Sequence, residues 1–395
     1  MKLLVCNVGS TSLKFKLFAM PGDFVMSEGK VERVGSLTDA IFHYQKTGAE
    51  KIHKENISVP SYTAGIQMFL NLLVDSEQGA LKDLAEIERI GFKTVLSKNH
   101  YGVHELTDEV LDGMEQYNSI AGSHNVPYLT AIRLFRDVAP NAKLIGVFET
   151  HFHQTIPLER KLYGIPYDWY ETYGIQKMGY HSASHSFVAQ TLEDIFENTG
   201  KTISCHLGGS CSICAIDNGK SVDNSWGISL QSGLPHSNRT GDLDPFVIPF
   251  LLKEGLSLEE ITEGLTKRGG LLGISGLSND VRDLEYAEEE NNDARAKLAL
   301  DVFVTNIVRY IGAYYAELGG LDHLVFTGGI GEHSGHIREK VCKAIEHLGI
   351  KLNRPANYAC RKNAIISAAG SKVMVHVIAQ NEELIVARKT FDFEN

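Results

Sequence analysis

Two short stretches of the chain place glycine and hydroxyl residues in a turn between two apolar strands. The first stretch covers residues 4–15 and the second covers residues 203–214, about half a chain apart. A turn of this kind exposes backbone N–H groups beside hydroxyl groups, and that combination binds phosphate oxygens. One hairpin alone supplies few of the hydrogen bonds that a polyphosphate requires, so the pair predicts two duplicated domains that hold one polyphosphate from opposite sides. The sequence therefore predicts a two-domain, nucleotide-dependent phosphotransferase.

Two cations lie where they could contact a phosphoryl group. Lys14 follows the first turn, and its ammonium group can reach a β- or γ-phosphate, although a solvated strand lysine has the same pattern. Arg239 lies in a glycine-containing loop, residues 238–245, where its guanidinium can bind a carboxylate or a phosphoryl group through two parallel bonds. A salt bridge from Arg239 to Asp242 or Asp244 explains the segment equally well.

Histidines are clustered in the middle of the chain: His124, His151, His153, His181 and His185. Their spacing does not match a zinc-binding motif. A histidine beside a phosphoryl group can instead donate to its equatorial oxygens without any metal. We therefore interpret the cluster as part of a phosphoryl-transfer site.

A further glycine motif, residues 327–332, follows a segment that reads as a buried strand. Glycine lets the backbone approach a flat ring or a ribose closely, so we expect this turn to contact a nucleoside. Residues 279–283 are typical of a capped helix start. Arg282 within them could also stack on a purine or hydrogen-bond to it.

The composition limits the class of protein. A length of 395 residues suits two domains, each of about 150 to 200 residues. The net charge of −11 gives no electrostatic reason to expect nucleic acid or an anionic membrane as a partner. No apolar run approaches a membrane span, and the N-terminus lacks a signal-peptide layout. We therefore expect a cytoplasmic protein whose anionic substrate is held by a local group of cations.

The pattern of apolar and turn residues predicts an order of elements that starts twice, in mixed α/β layers. In the first half, strands are predicted at residues 2–6, 13–19, 25–34, 40–45, 90–95 and 142–148, and helices at 62–74, 107–117 and 124–138. In the second half, a helix at 182–198 precedes a hairpin at 202–216. Helices at 245–254, 257–268, 279–289, 294–318 and 335–348, and strands at 321–326 and 372–378, complete the prediction.

Several segments together resemble the acetate and propionate kinase family, within the larger group of actin- and hexokinase-like folds. These segments, which come in the family's order and spacing, are residues 7–14, 147–155, 179–185, 206–208, 239–245 and 326–332. The resemblance covers nearly the whole chain. It implies an α/β fold of two duplicated actin/hexokinase-like (ribonuclease H-like) domains with a nucleotide cleft between them. Residues 1–149 with 384–395 would form the N-terminal domain, and residues 150–383 would form the C-terminal domain that carries the adenosine site.

The resemblance also implies an activity, a metal and site residues. ATP would give its γ-phosphoryl group reversibly to a short-chain carboxylate, producing an acyl phosphate and ADP, and Asn7 and Glu382 would hold Mg²⁺ or Mn²⁺. The implied catalytic residues are Lys93, Glu149, His181 and Arg239. The implied nucleotide contacts are Ser10, Ser12, Lys14, His206, Leu207, Gly208, Gly209, Ser210, Asp280, Val281, Arg282, Gly329, Ile330, Gly331, Glu332 and His333. The implied substrate contacts are Lys93, Val95, Ser123, His124, Tyr180 and Leu230, and the implied assembly is a homodimer.

Some residues depart from the family's pattern near the reacting centre. Lys93 stands where the family has an arginine. A guanidinium that can form two parallel hydrogen bonds is thus replaced by an ammonium group, which acts as a point charge. Glu149 replaces an aspartate, and Gly209 and His333 replace asparagines near the nucleotide. The sequence therefore leaves the phosphoryl donor open between ATP, another nucleotide and pyrophosphate.

The acyl-contact positions also depart from the family. Ser123, Tyr180 and Leu230 stand where leucine, phenylalanine and proline are usual. A buried hydroxyl needs a partner, and an apolar methyl group cannot provide one. The two added hydroxyls therefore predict an acid larger or more polar than acetate.

A second function, from a different class, is a catalytically weak nucleotide-binding homologue that serves as a sensor or scaffold. A scaffold has no need of charged groups around an empty phosphoryl site. Because the chain keeps Asn7, Lys14, His181, Arg239 and Glu382, the sequence favours an active enzyme.

Overall fold

The computed structural model describes residues 1–9, 11–197 and 199–394, without the side chain of residue 123. The chain forms two compact units. The first unit contains Met1–Gln154 together with Asn381–Asn395, and the second contains Thr155–Gln380.

The first unit is built on an eight-stranded sheet with the order β5-β4-β3-β2-β1-β6-β8-β7. Its strands are β1 (Lys2–Val8), β2 (Ser12–Ala19), β3 (Phe24–Glu32), β4 (Ala40–Lys46), β5 (Ile52–Ile57), β6 (Arg89–Phe92), β7 (Val103–Glu105) and β8 (Lys143–Val147). The helices are α1 (Tyr62–Leu73), α2 (Asp108–Gln116) and α3 (Asn118–Val138). Strand β1 is central, and residues 3–6 are all buried, as an uninterrupted apolar run predicts for a strand covered on both faces.

The second unit is built on a six-stranded sheet with the order β11-β10-β9-β12-β14-β13. Its strands are β9 (Lys201–Leu207), β10 (Cys211–Asp217), β11 (Lys220–Asn224), β12 (His323–Thr327), β13 (Ala364–Ile365) and β14 (Met374–Val377). The helices are α4 (Leu158–Lys161), α5 (Tyr167–Tyr173), α6 (Ser182–Ile195), α7 (Val247–Lys253), α8 (Leu258–Lys267), α9 (Gly270–Ser275), α10 (Val281–Asn291), α11 (Ala294–Leu318), α12 (Gly328–His333), α13 (Gly335–Ala344) and α14 (Arg354–Ala359).

The two sheets share a local arrangement. In the first, β1 pairs with β2 in antiparallel orientation and with β6 in parallel orientation. In the second, β9 pairs with β10 in antiparallel orientation and with β12 in parallel orientation. Each central hairpin contains one of the two glycine and hydroxyl turns. The predicted restart of the element order is therefore confirmed by the strand pairing.

The last helix, α15 (Glu382–Asp392), packs on the sheet of the first unit. The guanidinium of Arg89 donates to the carbonyl oxygens of Thr390, Phe391 and Phe393 at 2.7–2.9 Å. A Cβ atom on Gly91 would lie 2.3 Å from Oγ1 of Thr390, so only glycine permits this close approach of helix and strand. The contact places Glu382, the first residue of α15, near the end of β6.

Most predicted elements are confirmed with boundary shifts of a few residues, but residues 327–332 are an exception. They were expected to form a glycine turn, and instead residues 328–333 form the short helix α12. Gly328 alone makes the turn, with a φ of +77°, and a Cβ there would lie 2.7 Å from the carbonyl oxygen of Leu207. A turn and a short glycine-rich helix have nearly the same composition, so sequence pattern did not separate them.

Strand β5 has no counterpart in the sequence prediction. It is an edge strand in which residues 53–56 are exposed, and its sequence therefore lacks the apolar alternation that marks a half-buried strand. Among residues 1–9, 11–197 and 199–394, no helix combines the length and the apolar character that crossing a membrane requires.

Candidate active site

The turn between β1 and β2 is tight in the part that the structure describes. The backbone N–H of Gly9 donates to the carbonyl oxygen of Ser12 at 2.8 Å, and the hydroxyl of Tyr62 donates to the Gly9 carbonyl at 2.9 Å. A Cβ on Gly9 would lie 2.6 Å from Oγ of Ser12, so a side chain at this position would displace the hydroxyl. Ser10, the other predicted phosphate contact here, lies outside the described residues.

Asn7 and Lys14 are directly opposite each other on β1 and β2, and they therefore lie on the same face of the sheet. The hydroxyl of Tyr128 donates to Oδ1 of Asn7 at 3.2 Å and accepts from the N–H of Val8 at 3.0 Å. These two bonds fix the amide of Asn7 at the end of β1. Lys14 is exposed, as a cation that meets a soluble anion must be.

Lys93 lies directly after β6 and bridges two carboxylates. Its Nζ is 2.7 Å from Oε1 of Glu149 and 2.8 Å from Oε2 of Glu382, and all three side chains are largely buried. Burial by itself lowers the pKa of Lys93, but the charges of Glu149 and Glu382 outweigh it and raise the pKa well above its ordinary value. Lys93 is therefore a permanent ammonium group that holds the end of β6, the end of β8 and the first turn of α15 together.

Three predicted substrate contacts also belong to the first unit. Val95 is buried in the segment after β6, and His124 is half-buried in α3. Ser123 lies in α3 as well, but its side chain is outside the described part of the chain.

In the second unit, the turn between β9 and β10 is held by its neighbours. The N–H of Ser237 donates to the carbonyl of Gly209 at 3.2 Å, and the N–H of Cys211 donates to Nδ1 of His236 at 2.9 Å. Burial and the nearby charge of Arg239 lower the pKa of His236 to about 3, so this ring is neutral and accepts the bond. The turn itself, Gly208 to Ser210, is partly open to solvent.

Arg239 is placed beside this turn. One Nη atom donates to the carbonyl of Leu230 at 2.8 Å, and the other makes a short hydrogen bond to the hydroxyl of Ser210. Burial lowers the pKa of Arg239. Within the described ranges it forms no ion pair with Asp242 or Asp244, so the salt-bridge explanation of this loop is wrong. A half-buried guanidinium held only by neutral oxygens is suited to bind an anion.

His181 and Arg239 both pack against Trp226. The ring centroids of His181 and Trp226 are 4.6 Å apart, and the Arg239 guanidinium carbon lies 5.8 Å from the Trp226 ring centroid. His181 also stacks on His206, with centroids 3.8 Å apart and ring planes inclined by 27°. The structure therefore places His181 and Arg239, which are far apart in sequence, against one tryptophan, and His206 against His181. Trp226 was missed because a lone tryptophan has no motif that distinguishes it from a core residue.

A cavity of about 410 Å³ lies next to the turn between β9 and β10. The predicted nucleotide contacts that line it are Gly208, Gly209, Asp280, Val281, Arg282, Gly329, Ile330 and His333. Leu207 and Gly331 are buried and do not line it, and the Glu332 carboxylate accepts from the N–H of Gln380 at 3.1 Å. The segments that sequence analysis assigned separately to phosphate and to nucleoside therefore meet at one cavity.

Asp280 and Arg282 have the structural roles that a capped helix start predicts. The Asp280 carboxylate accepts from the N–H of Arg282 at 2.9 Å and caps α10. The Arg282 guanidinium folds back on the same carboxylate, yet 87% of its side chain is exposed at the cavity. Arg282 can therefore both bond the capping residue Asp280 and contact a ligand in the cavity.

The two acyl-contact residues of the second unit are buried. The Tyr180 ring packs edge-on against Trp226, and its hydroxyl donates to the carbonyl of Ile228 at 2.8 Å. Leu230 is 6% exposed. Because the Tyr180 hydroxyl has a backbone partner, it does not require a polar group on a substrate.

Comparison with known proteins gives consistent results over the whole chain. A model of the acetokinase family matches residues 2–388. The acetate kinase of Shouchella clausii (strain KSM-K16) is 41% identical over 394 residues, which cover 98% of each chain. The crystal structure of Porphyromonas gingivalis acetate kinase has a TM-score of 0.87 at 36% identity and covers 100% of both chains. That of a propionate kinase from Francisella tularensis subsp. tularensis SCHU S4 has a TM-score of 0.89 at 30% identity and covers 99% of both.

The bridge at Lys93 makes a stability prediction. Lys93→Gln leaves Glu149 and Glu382 buried without their shared cation, and we expect it to lower the free energy of unfolding by about 3 kcal/mol. Urea denaturation measures this loss. Lys54→Gln, on the exposed strand β5, is the control and should change stability by less than about 0.5 kcal/mol. Equal stability of the two variants would contradict the bridge.

Proposed function

Because the chain belongs to the acetokinase family, with that family's α/β actin/hexokinase-like fold, we propose that Arg239 and His181 stabilise a phosphoryl group passing from ATP to a short-chain carboxylate. A carboxylate oxygen attacks the γ-phosphorus, the bond from that phosphorus to the β,γ-bridging oxygen breaks, and ADP leaves with the electron pair. The products are an acyl phosphate and ADP, and no proton is transferred. Such a reaction requires positioning and positive charge more than covalent chemistry from the protein.

The observation that carries this proposal is the environment of Arg239. Its guanidinium is half-buried, is bonded to Ser210 and Leu230, and packs on Trp226, against which His181 also packs. A cation with neutral partners and an imidazole that packs on the same tryptophan can supply donors to the equatorial oxygens of a phosphoryl group. The negative charge that pairs with Arg239 would come from the reacting phosphoryl group.

We place the nucleotide at the 410 Å³ cavity. The adenosine would lie between the start of α10, at Asp280 to Arg282, and α12, at Gly329 to His333. The phosphates would meet the backbone N–H groups of the turn from His206 to Ser210. In the first unit, Ser10, Ser12 and Lys14 would meet phosphate oxygens.

Asn7 and Glu382 are proposed to hold Mg²⁺. The donor set fits a hard cation, since both residues offer oxygen atoms and one of them carries a charge. Bound there, the ion would neutralise charge on the nucleotide phosphates. Tyr128 fixes the amide of Asn7, and Lys93 fixes the carboxylate of Glu382, so the two side chains are oriented by the protein itself.

The remaining proposed roles concern the acceptor. Lys93 presents a permanent positive charge to a carboxylate, and Glu149 sets its position. Val95, Ser123, His124, Tyr180 and Leu230 would contact the acyl group. We propose that the acid is larger or more polar than acetate, and this preference now depends on Ser123, because the Tyr180 hydroxyl is bonded to Ile228.

We further propose that the chain forms a homodimer. We also propose that it is cytoplasmic, because its nucleotide substrate ATP is available there. Helix α7 supports the assembly, because its sequence is almost entirely apolar and none of its residues is buried. Phe246 and Phe250 are 76% and 60% exposed. Sedimentation equilibrium should give twice the chain mass, and a monomer at micromolar concentration would refute the assembly.

The role of Arg239 is tested by substitution. Arg239→Ala should lower carboxylate-dependent ADP formation by at least about 100-fold, because it removes charge from the transition state. Arg309→Ala, an exposed arginine on α11, is the control and should retain full activity. If the unmodified chain bound ATP tightly but turned over no acid, the proposed kinase activity would be contradicted. A nucleotide-binding sensor or scaffold would then be favoured.

The substrate preference is tested with a panel of carboxylates trapped by hydroxylamine. Tyr180→Phe should change the ratio of kcat/KM for glycolate and acetate by less than about twofold, since the hydroxyl bonds the backbone. Ser123→Ala should lower the same ratio by about tenfold, the effect of losing a hydrogen bond. A preference of the unmodified chain for acetate over hydroxy and longer acids would refute the proposed substrate class.

A further inference from the structure

We propose that Ser204, His185 and Ser212 form a hydrogen-bonded relay that keeps His181 in the neutral tautomer with its proton on Nε2. The inference rests on the proposed function, in which His181 donates to the transferring phosphoryl group. His185, Ser204 and Ser212 touch neither reactant in this scheme. They are positioning residues that act through His181.

The relay is continuous in the structure. Oγ of Ser204 lies 2.9 Å from Nδ1 of His185, and Nε2 of His185 lies 2.8 Å from Oγ of Ser212. The Ser212 hydroxyl in turn lies 2.9 Å from Nδ1 of His181. The side chains of Ser204, His185 and Ser212 are fully buried, with an exposure of 0%. Each member therefore exchanges hydrogen bonds with the protein instead of with bulk water.

The strand register explains why these side chains meet. Ser204 and His206 are two residues apart on β9, and Ser212 is paired with His206 across the hairpin. All three therefore lie on one face of the sheet. Helix α6 supplies His185 from its first turn, and His181 immediately precedes that helix with a left-handed φ of 56°. This backbone conformation is uncommon for a residue with a side chain, and the ring of His181 packs on His206 and Trp226.

The direction of the relay follows from counting protons. A hydroxyl has one proton, and a neutral imidazole has one N–H and one acceptor nitrogen. In one direction the Ser204 hydroxyl donates to His185, His185 donates to Ser212, and Ser212 donates to Nδ1 of His181. The proton of His181 is then on Nε2, the nitrogen outside the relay. In the reverse direction Nδ1 carries the proton and a neutral His181 has only a lone pair at Nε2.

Only the first direction gives a neutral His181 that can donate to a phosphoryl oxygen. It also avoids placing a charge on a ring that stacks on His206 at 3.8 Å and packs on Trp226, the same tryptophan that the cation of Arg239 contacts. His206 has its own partner, since its Nδ1 lies 2.8 Å from Oγ of Ser184. The relay therefore supplies a donor without adding a second positive charge to the site.

The tautomer can be measured without reference to activity. We expect long-range ¹H–¹⁵N spectra of histidine-labelled protein to show His181, assigned by its loss in His181→Asn, as the Nε2–H tautomer. Ser212→Ala should shift that signal toward a mixture of tautomers, because Nδ1 loses its donor. A ring with its proton on Nδ1 in the unmodified protein, or an unchanged signal in Ser212→Ala, would overturn the proposal.

A matched pair of substitutions tests the consequence for catalysis. The amide of Gln reaches the position of Nε2, so His185→Gln keeps a bond to Ser212, whereas His185→Asn reaches only the position of Nδ1. We expect His185→Asn and Ser212→Ala to lower kcat by about tenfold with little change in KM, and His185→Gln to restore most of the loss. Ser186→Ala is the control, because this buried serine of α6 donates to the backbone carbonyl of Ala183 and is not a member of the relay.

The kinetic and spectroscopic results separate two failures. Equal losses in His185→Gln and His185→Asn would overturn the relay, since a purely structural role of the imidazole predicts equal damage. A full kcat in His181→Asn, with the tautomer result intact, would instead leave the relay standing and refute the proposed role of His181.

Discussion

The alternation of side chains along β9 and β10 is the constraint on which the candidate site of the second unit depends. One face of this hairpin buries Cys205, Leu207 and Ile213 in the apolar core with α11. The other face carries Ser204, His206 and Ser212, which hydrogen-bond to His185 and Ser184 of α6 and to His181 just before it. A register shift of one residue would exchange the two faces, placing serines in the core and removing the partners of His181. The same strand pairing thus determines both the stability of this unit and the position of its polar groups.

Charge is distributed differently in the two units. In the first, the ammonium group of Lys93 is held between the carboxylates of Glu149 and Glu382. In the second, Arg239 is held by a carbonyl and a hydroxyl, and its charge is left for a ligand. In a chain with a net charge of −11, an anionic substrate is attracted only where such cations are concentrated. This arrangement suits an enzyme that must bind a polyphosphate and release it again.

The sequence predicted the family, the fold class, the repeated hairpins and most elements, because these depend on apolar periodicity and on glycine at turns. It did not predict that Arg239 forms no ion pair with Asp242 or Asp244 in the described part of the chain, or that the Tyr180 hydroxyl bonds the carbonyl of Ile228. Tertiary packing decides which of these residues become neighbours. Trp226 and Tyr128 were missed for the same reason. Helix α12 was misassigned because a single positive φ at Gly328, and not a run of turn residues, separates β12 from the helix.

The central claim is that a carboxylate oxygen attacks the γ-phosphorus of ATP. Transfer of isotope tests it most directly, because the oxygen that joins carbon and phosphorus in the product must come from the acid. With ¹⁸O-labelled carboxylate, ATP and Mg²⁺, the account predicts a ³¹P signal of acyl phosphate displaced by one bound ¹⁸O, together with an equal amount of ADP. Formation of ADP and inorganic phosphate without label, or no reaction with any acid, would contradict it.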